Sequence, residues 1–209
     1  LNDDGTKLSK RNFDSISINQ FRNKGYTTNS ILSYMYSVGL NSDFDFQEVY
    51  SKGFKDFDLS QISKNLPKLD IQKIDYFQKN TLRAMTILDL EKNFDNLSNL
   101  NIHNNEWNLI KNNVDTYEDI ENLLDIIRRK KLEIKPDKDF VDILSENMPN
   151  IKNLDFEQYI DFLIKKNSKL SKKDIFTNTR YILTGNNNGP SVKDLFVFFG
   201  YEELKKIVN

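Results

Sequence analysis

Apolar residues recur three and four positions apart over most of this chain, the spacing of helices with one buried face. Ser17 starts a short segment through Lys24 that Gly25 stops. Thr28 is placed to cap Asn29–Val38, with Gly39 closing it and Ile31, Tyr34, Met35 and Val38 on the expected inner face. Short segments around Phe46–Ser51 and Leu59–Ser63 follow, and Pro67 marks a seam. Beyond it run three stripes: Ile71, Ile74, Phe77 and Leu82; Ile87, Leu90, Phe94 and Leu97; Trp107, Ile110 and Val114. Thr116 and Asp119 fit an acidic capping box for Tyr117–Lys130, whose inner face is Ile120, Leu123, Leu124 and Ile127. Lys131–Lys135 is expected to be loop. Phe140, Val141 and Leu144 mark a helix expected to end before Pro149. Asp155 begins a helix carrying Phe156, Ile160, Leu163 and Ile164, and Ser171 caps another that Gly185 stops. Ser191 opens a helix to Gly200, and Tyr201–Val208 closes the chain. No segment sustains a two-residue alternation between turn signals, and no fixed-period repeat is visible. The expected fold is all-α, in several small bundles.

Composition supports this. The 7 Gly and 4 Pro among 209 residues are few for an all-β protein with many tight turns. With 15 Phe and 9 Tyr against 1 Trp, aromatic rings carry much of the core volume. There is no Cys, which excludes disulfides and thiolate metal sites. The single His103 cannot build a histidine metal cluster, and its polar setting, Asn101–Asn105, reads as solvated. No metal site is therefore expected. No apolar run approaches the roughly 18 residues of a membrane span. The chain opens Leu-Asn-Asp-Asp with no signal peptide, so the expectation is a piece of a longer, soluble, intracellular protein.

The formal net charge is −1, so any nucleic-acid contact has to come from local patches. Arg128-Arg129-Lys130-Lys131 is one, and Lys165-Lys166 with Lys169 and Lys172-Lys173 is another. Either also suits a solvated helix end. The opening Asp4-Gly5-Thr6-Lys7-Leu8-Ser9-Lys10-Arg11 has the chemistry of a polyanion loop: two ammonium groups and a guanidinium fork after a glycine turn. Alone it equally suits a solvated basic tail. No Ser or Thr pairs with the one His. The carboxylate groups Glu118/Asp119/Glu121 and Glu202/Glu203 lie on polar faces, and no glycine-rich loop follows a strand. This stretch is not expected to complete a reaction by itself.

Near the end, Arg180-Tyr181-Ile182-Leu183-Thr184-Gly185, a polar loop and Gly189-Pro190 lead into an apolar helix ending Gly200-Tyr201-Glu202. This resembles the end of bacterial-type glutamyl-tRNA synthetases, class I enzymes. Lys7–Arg11 then resembles their Lys-Leu-Ser-Lys-Arg signature loop. Leu69–Gln78 resembles their Phe-Asp-x-x-Lys-Leu-x-Trp-x-Asn segment, with Tyr76-Phe77-Gln78 for Trp-x-Asn. Gly25-Tyr26 through Gly39-Leu40 resembles a further stretch. The motifs stand in family order over nearly the whole chain.

The resemblance implies a fold: a signature loop plus small helical stem-contact region over 1–66, then an all-helical anticodon-binding region in two sub-bundles, 67–135 and 136–209. It implies ATP-dependent attachment of glutamate to tRNA(Glu), with ATP and Mg2+ used by the full-length enzyme and none bound by this fragment alone. The nucleotide-binding catalytic half, which would hold glutamate, is expected upstream, so the fragment is expected to be inactive. Lys10 takes the role of the catalytic lysine that stabilises leaving pyrophosphate, and Lys7, Ser9 and Arg11 join it at the ATP. Implied tRNA-binding residues are Lys111, Asn113, Arg128, Arg129, Arg180, Thr184 and Asn187, with a structural pin as the other reading of Arg180. Asn113 stands where the family often has Arg, the usual bidentate reader of base edges, which opens tRNA(Gln) as a second acceptor. A monomer in the bacterial cytoplasm or an organellar matrix, without membrane contact, is expected. A helical interaction module with no RNA role is the alternative.

Overall fold

Short polar side chains start most of the helices. Ser17, Thr86, Asp155 and Ser171 each accept the N–H three residues on, while residue N3 returns its side chain to the cap's own N–H. Asp70 and Asp137 cap by accepting the N–H of Lys73 and Phe140. A computed structural model describes residues 5–7, 17–39, 60, 62, 64, 66–130 and 132–208. The expected segment at Phe46–Ser51, most of Leu59–Ser63, and Lys131 lie outside the described residues.

The described architecture is all-α, with no β-strand among the described residues. Its ten helices are α1 (Ile18–Asn23), α2 (Thr28–Gly39), α3 (Ile71–Ala84), α4 (Ile87–Asn93), α5 (Asn104–Ile110), α6 (Tyr117–Ile127), α7 (Lys138–Ile151), α8 (Phe156–Lys166), α9 (Lys172–Thr184) and α10 (Val192–Val208). Short 3-10 helices cover Asp95–Leu100 and Lys111–Asn113.

The chain divides into two compact units. The first holds Leu1–Asn101 and Val114–Asp119, the second Ile102–Asn113 and Ile120–Asn209. In the first, α2 packs on α3 through Tyr34, Ile74 and Phe77, with Phe21, Tyr26 and Leu69 around them. Tyr34 ties the approach to α3, because its hydroxyl accepts the Asp70 N–H at 2.8 Å. In the second, α10 is the hub and contacts α5, α7, α8 and α9. Its Phe196 meets the Tyr159 ring at 4.8 Å between centroids, and Tyr159 bonds Thr179 through its hydroxyl at 2.9 Å. That bond satisfies a phenol whose ring is wholly buried. Each such fully buried apolar side chain contributes about 1.5–3 kcal/mol.

Several expectations are corrected. The first helical residue of α2 is Thr28 itself, and Thr27 is the cap, accepting the Ser30 N–H at 3.2 Å. Met35 is 61% exposed, although it keeps helical spacing with the buried Tyr34 face. The Ile87–Leu97 stripe is two elements: Phe94 is extended, and its ring stacks on Tyr117. α6 stops at Ile127, since Arg129 takes a left-handed φ of 57°. Pro149 sits inside α7, because Met148 and Ile151 are buried and hold the last turn despite the missing N–H. The break at Gly200 is present as a non-helical joint within α10 (φ 66°, ψ 176°).

Candidate nucleic-acid interface

The second unit carries every residue implied for RNA contact, at the ends of three helices. α5 runs into the turn Lys111–Asn113, where Asn113 is exposed and the Lys111 ammonium donates to Asn108 at 2.9 Å. α6 runs into Arg128-Arg129-Lys130, and α9 runs into Gly185 and the loop to Pro190.

The α6 and α9 ends are fastened together. The Arg129 guanidinium donates to the carbonyls of Ile182 and Leu183, the latter at 3.1 Å, so it fills acceptors left open at the α9 C-terminus. The N–H groups of Glu133 and Ile134 donate to the Gly185 carbonyl at 3.0 and 2.8 Å. Gly185 has φ 65°, and a Cβ there would lie 2.8 Å from the Leu132 Cα, so close backbone approach requires glycine. Burial lowers the Arg129 pKa from its ordinary value, and Glu203 acts in the opposite sense.

Arg128 is held differently. Its Nε and second terminal nitrogen donate to the two Glu106 oxygens at 2.6 and 2.7 Å. Glu106 also accepts the His103 N–H at 2.9 Å, and His103 is the N-cap of α5. The Arg128 hydrogen bonds chiefly hold Glu106 below the usual carboxylate range, and the same pair raises Arg128.

The α9 loop folds on itself. Thr184 is buried; its hydroxyl donates to the Arg180 carbonyl at 2.9 Å and accepts the Asn186 N–H at 3.2 Å. Asn187 is exposed and accepts the Tyr181 hydroxyl at 2.6 Å. Arg180 is half-buried, and one terminal nitrogen is buried with no hydrogen-bond partner among the described residues. Burial alone lowers its pKa, and no acidic group contributes.

Of the implied residues, then, Lys111, Asn113 and Asn187 present polar groups outward. Arg180 keeps a cation without a counter-ion among the described residues, and Arg128, Arg129 and Thr184 are engaged within the unit. Lys165 and Lys166 close α8, where cations complement the helix dipole, whereas Lys172 and Lys173 open α9, where they do not. In the opening loop Lys7 is exposed; Ser9, Lys10 and Arg11 lie outside the described residues. Among the described residues no group of three or more His, Asp or Glu fits a metal ion. No described helix is long and apolar enough to cross a membrane. The first unit also carries a polar cavity of about 380 Å³ that sequence reasoning missed, its lining drawn from segments up to 95 positions apart, Arg22 to Tyr117.

The chain is homologous to about the C-terminal half of bacterial glutamate–tRNA ligases. It is 27% identical over 223 residues to glutamate–tRNA ligase 1 of Pseudothermotoga lettingae, covering 98% of this chain and 46% of that protein. It is 26% identical over 235 residues to the glutamate–tRNA ligase of Finegoldia magna, covering 100% and 47%. The fold matches a solved glutamate–tRNA synthetase from Elizabethkingia anophelis with a TM-score of 0.61 at 21% identity, over 100% of this chain and 48% of that one. No family model matches the chain. The chain thus spans about half the length of the curated relatives it matches.

Proposed function

We propose that this chain is the tRNA-binding part of a glutamate–tRNA ligase, which attaches glutamate to tRNA(Glu) at the expense of ATP. The second unit takes the anticodon arm. Arg180 carries the reading: a buried guanidinium nitrogen with no partner among the described residues suits a phosphate oxygen or a base edge. Lys111, Asn113 and Asn187 are the outward polar groups placed to meet unstacked bases. The loop Lys7–Arg11 serves the ATP, with Lys10 stabilising charge on departing pyrophosphate and Lys7, Ser9 and Arg11 supporting it. Mg2+ comes with ATP as substrate, and glutamate binds residues outside this stretch. The enzyme acts as a monomer in the cytoplasm or an organellar matrix.

Asn113 offers one amide where a guanidinium would read a base with two donors, which supports acceptance of tRNA(Gln) beside tRNA(Glu). Filter binding of the chain to both tRNAs at rising salt tests the reading. Binding should exceed that of an acidic control protein, weaken with salt, and fall at least fivefold in Arg180→Ala. Binding no stronger than the control rejects the reading and leaves a helical interaction module, the reading that the net charge of −1 favours. Charging of tRNA(Gln) by the full-length enzyme tests Asn113 separately; absence of Glu-tRNA(Gln) removes the relaxed discrimination.

A further inference from the structure

The polar cavity of the first unit belongs to none of the residues assigned above. Its volume of about 380 Å³ lies within the roughly 300–1,000 Å³ of small-molecule sites. It opens between the end of α1, the start of α2, the α4 end with the 3-10 helix after it, and Tyr117, the first residue of α6. Three features of the lining point the same way.

First, among the described residues the one charged side chain that lines it is Arg22, which is exposed, and no described carboxylate lines it. Two acids of this unit are already partnered: Asp75 accepts the hydroxyl of the lining residue Tyr26, and Asp115 pairs with Lys79 at 2.8 Å. Second, Phe94 and Tyr117 both line the cavity, stack with centroids 5.2 Å apart and planes 20° off parallel, and are only half-buried. A further planar ring can extend that stack. Third, Asn23, Asn93 and Asn96 bring exposed amides, the group that matches a base edge; Asn93 and Asn96 each spend one N–H, on the Asp89 carbonyl at 2.7 Å and the Tyr117 hydroxyl at 3.2 Å, and each amide has a second N–H beside its oxygen.

The surroundings are also rigidly set. Gly25 must be glycine, because a Cβ would lie 2.9 Å from that of Tyr117. Buried Gln78 accepts the Thr27 N–H at 2.9 Å and donates to the Gly25 carbonyl at 3.1 Å. The wall between Arg22 and Thr28 is therefore fixed before any ligand arrives.

We infer that this cavity is a nucleotide site: it takes one base against Phe94 and Tyr117, reads its edge with the asparagine amides, and holds one phosphate at Arg22. The nucleotide is either free or a single unstacked residue of a bound RNA. Equilibrium dialysis of the chain against AMP, GMP, CMP and UMP, with filter binding to a tRNA(Glu) transcript beside it, separates the two. Arg22→Glu and Asn96→Leu change exposed side chains, and circular dichroism confirms their fold. Saturable binding of a mononucleotide at one per chain, weakened at least tenfold by Arg22→Glu and also by Asn96→Leu, supports a free-nucleotide site. No mononucleotide binding, but transcript binding weakened at least tenfold by both substitutions, supports the RNA source. If folded variants bind mononucleotides and transcript as the unaltered chain does, the inference is overturned. In that case a loss of transcript binding in Arg180→Ala would leave the second unit's assignment standing.

Discussion

Each of the two units turns its chain at a left-handed glycine and backs the turn with a side chain distant in sequence, but the chemistry differs. In the first unit the neutral Gln78 amide holds the strand of residues around Gly25. In the second, the Arg129 guanidinium and two backbone N–H groups hold the end of α9 at Gly185. A neutral clasp leaves the local cation, Arg22, facing a cavity. A charged clasp, with the Glu106–Arg128 pair nearby in sequence, removes two arginines from the surface charge available to a polyanion. The number of basic residues in a patch thus overstates its positive field: Arg128-Arg129 is a conspicuous dipeptide in the sequence and a structural one in the fold.

The sharpest way to break this comparison is at the two glycines. Gly185→Ala must move backbone, since the new Cβ meets the Leu132 Cα at 2.8 Å and φ stays at 65°. Urea unfolding should show a loss of about 3–4 kcal/mol, from overpacking and left-handed strain together. Gly25→Ala brings one contact under 3.0 Å, with the Tyr117 Cβ at 2.9 Å, against two at 2.8 Å for Gly185, and should cost about 2–3 kcal/mol. Equal losses would mean that the two turns are held alike.

The next contrast is charged against neutral fastening. Arg128→Ala leaves Glu106 nearly buried without its partner and should cost about 2–3 kcal/mol at neutral pH, below the full penalty for a buried pair because Arg128 keeps 23% of its side chain in water. The Glu106 pKa is depressed in the folded state. Its contribution is therefore present above the unfolded value of about 4.3 and is lost as pH falls through the folded value. Thermal melts from about pH 6 to about pH 3 should show the deficit of Arg128→Ala shrinking. Gln78→Leu strands the Thr27 N–H and Gly25 carbonyl and should cost about 1–2 kcal/mol with no such pH dependence. A pH-independent Arg128 deficit would contradict the assignment.

The smallest effect is expected at Lys79, whose ion pair with Asp115 is 40% and 51% exposed. Lys79→Met should change unfolding free energy by less than about 0.5 kcal/mol. A larger loss would show that the first unit also relies on charge.

What was legible in the sequence follows from range. Caps at Ser17, Asp155 and Ser171 could be read because donor and acceptor lie three residues apart. The stop at Gly185 was legible because only glycine enters that φ cheaply. Pro149 misled because local chemistry says break, while Met148 and Ile151 gain more from burial than the lost hydrogen bond costs. Met35 misled because spacing defines a face without saying how wide the covered part is. For the candidate site, Arg180 could be picked out in the sequence but its missing partner could not. Glu106 and Arg128 are 22 residues apart, and nothing in either segment announces the other. The cavity escaped for the same reason.

The joint at Gly200 has a consequence for the phase of α10. Leu195 and Leu204, both buried, stand nine residues apart. At about 100° per residue an unbroken helix would place them on opposite sides. One residue outside helical geometry resets the rotation, so that the last turns of the chain can offer Leu204 to the interior. Among the described residues no atom from outside the helix's own backbone lies within 4 Å of where a Cβ would stand at Gly200. The residue is therefore set by backbone torsion alone: it acts as a rotational spacer, and its role is to re-time the hydrophobic stripe.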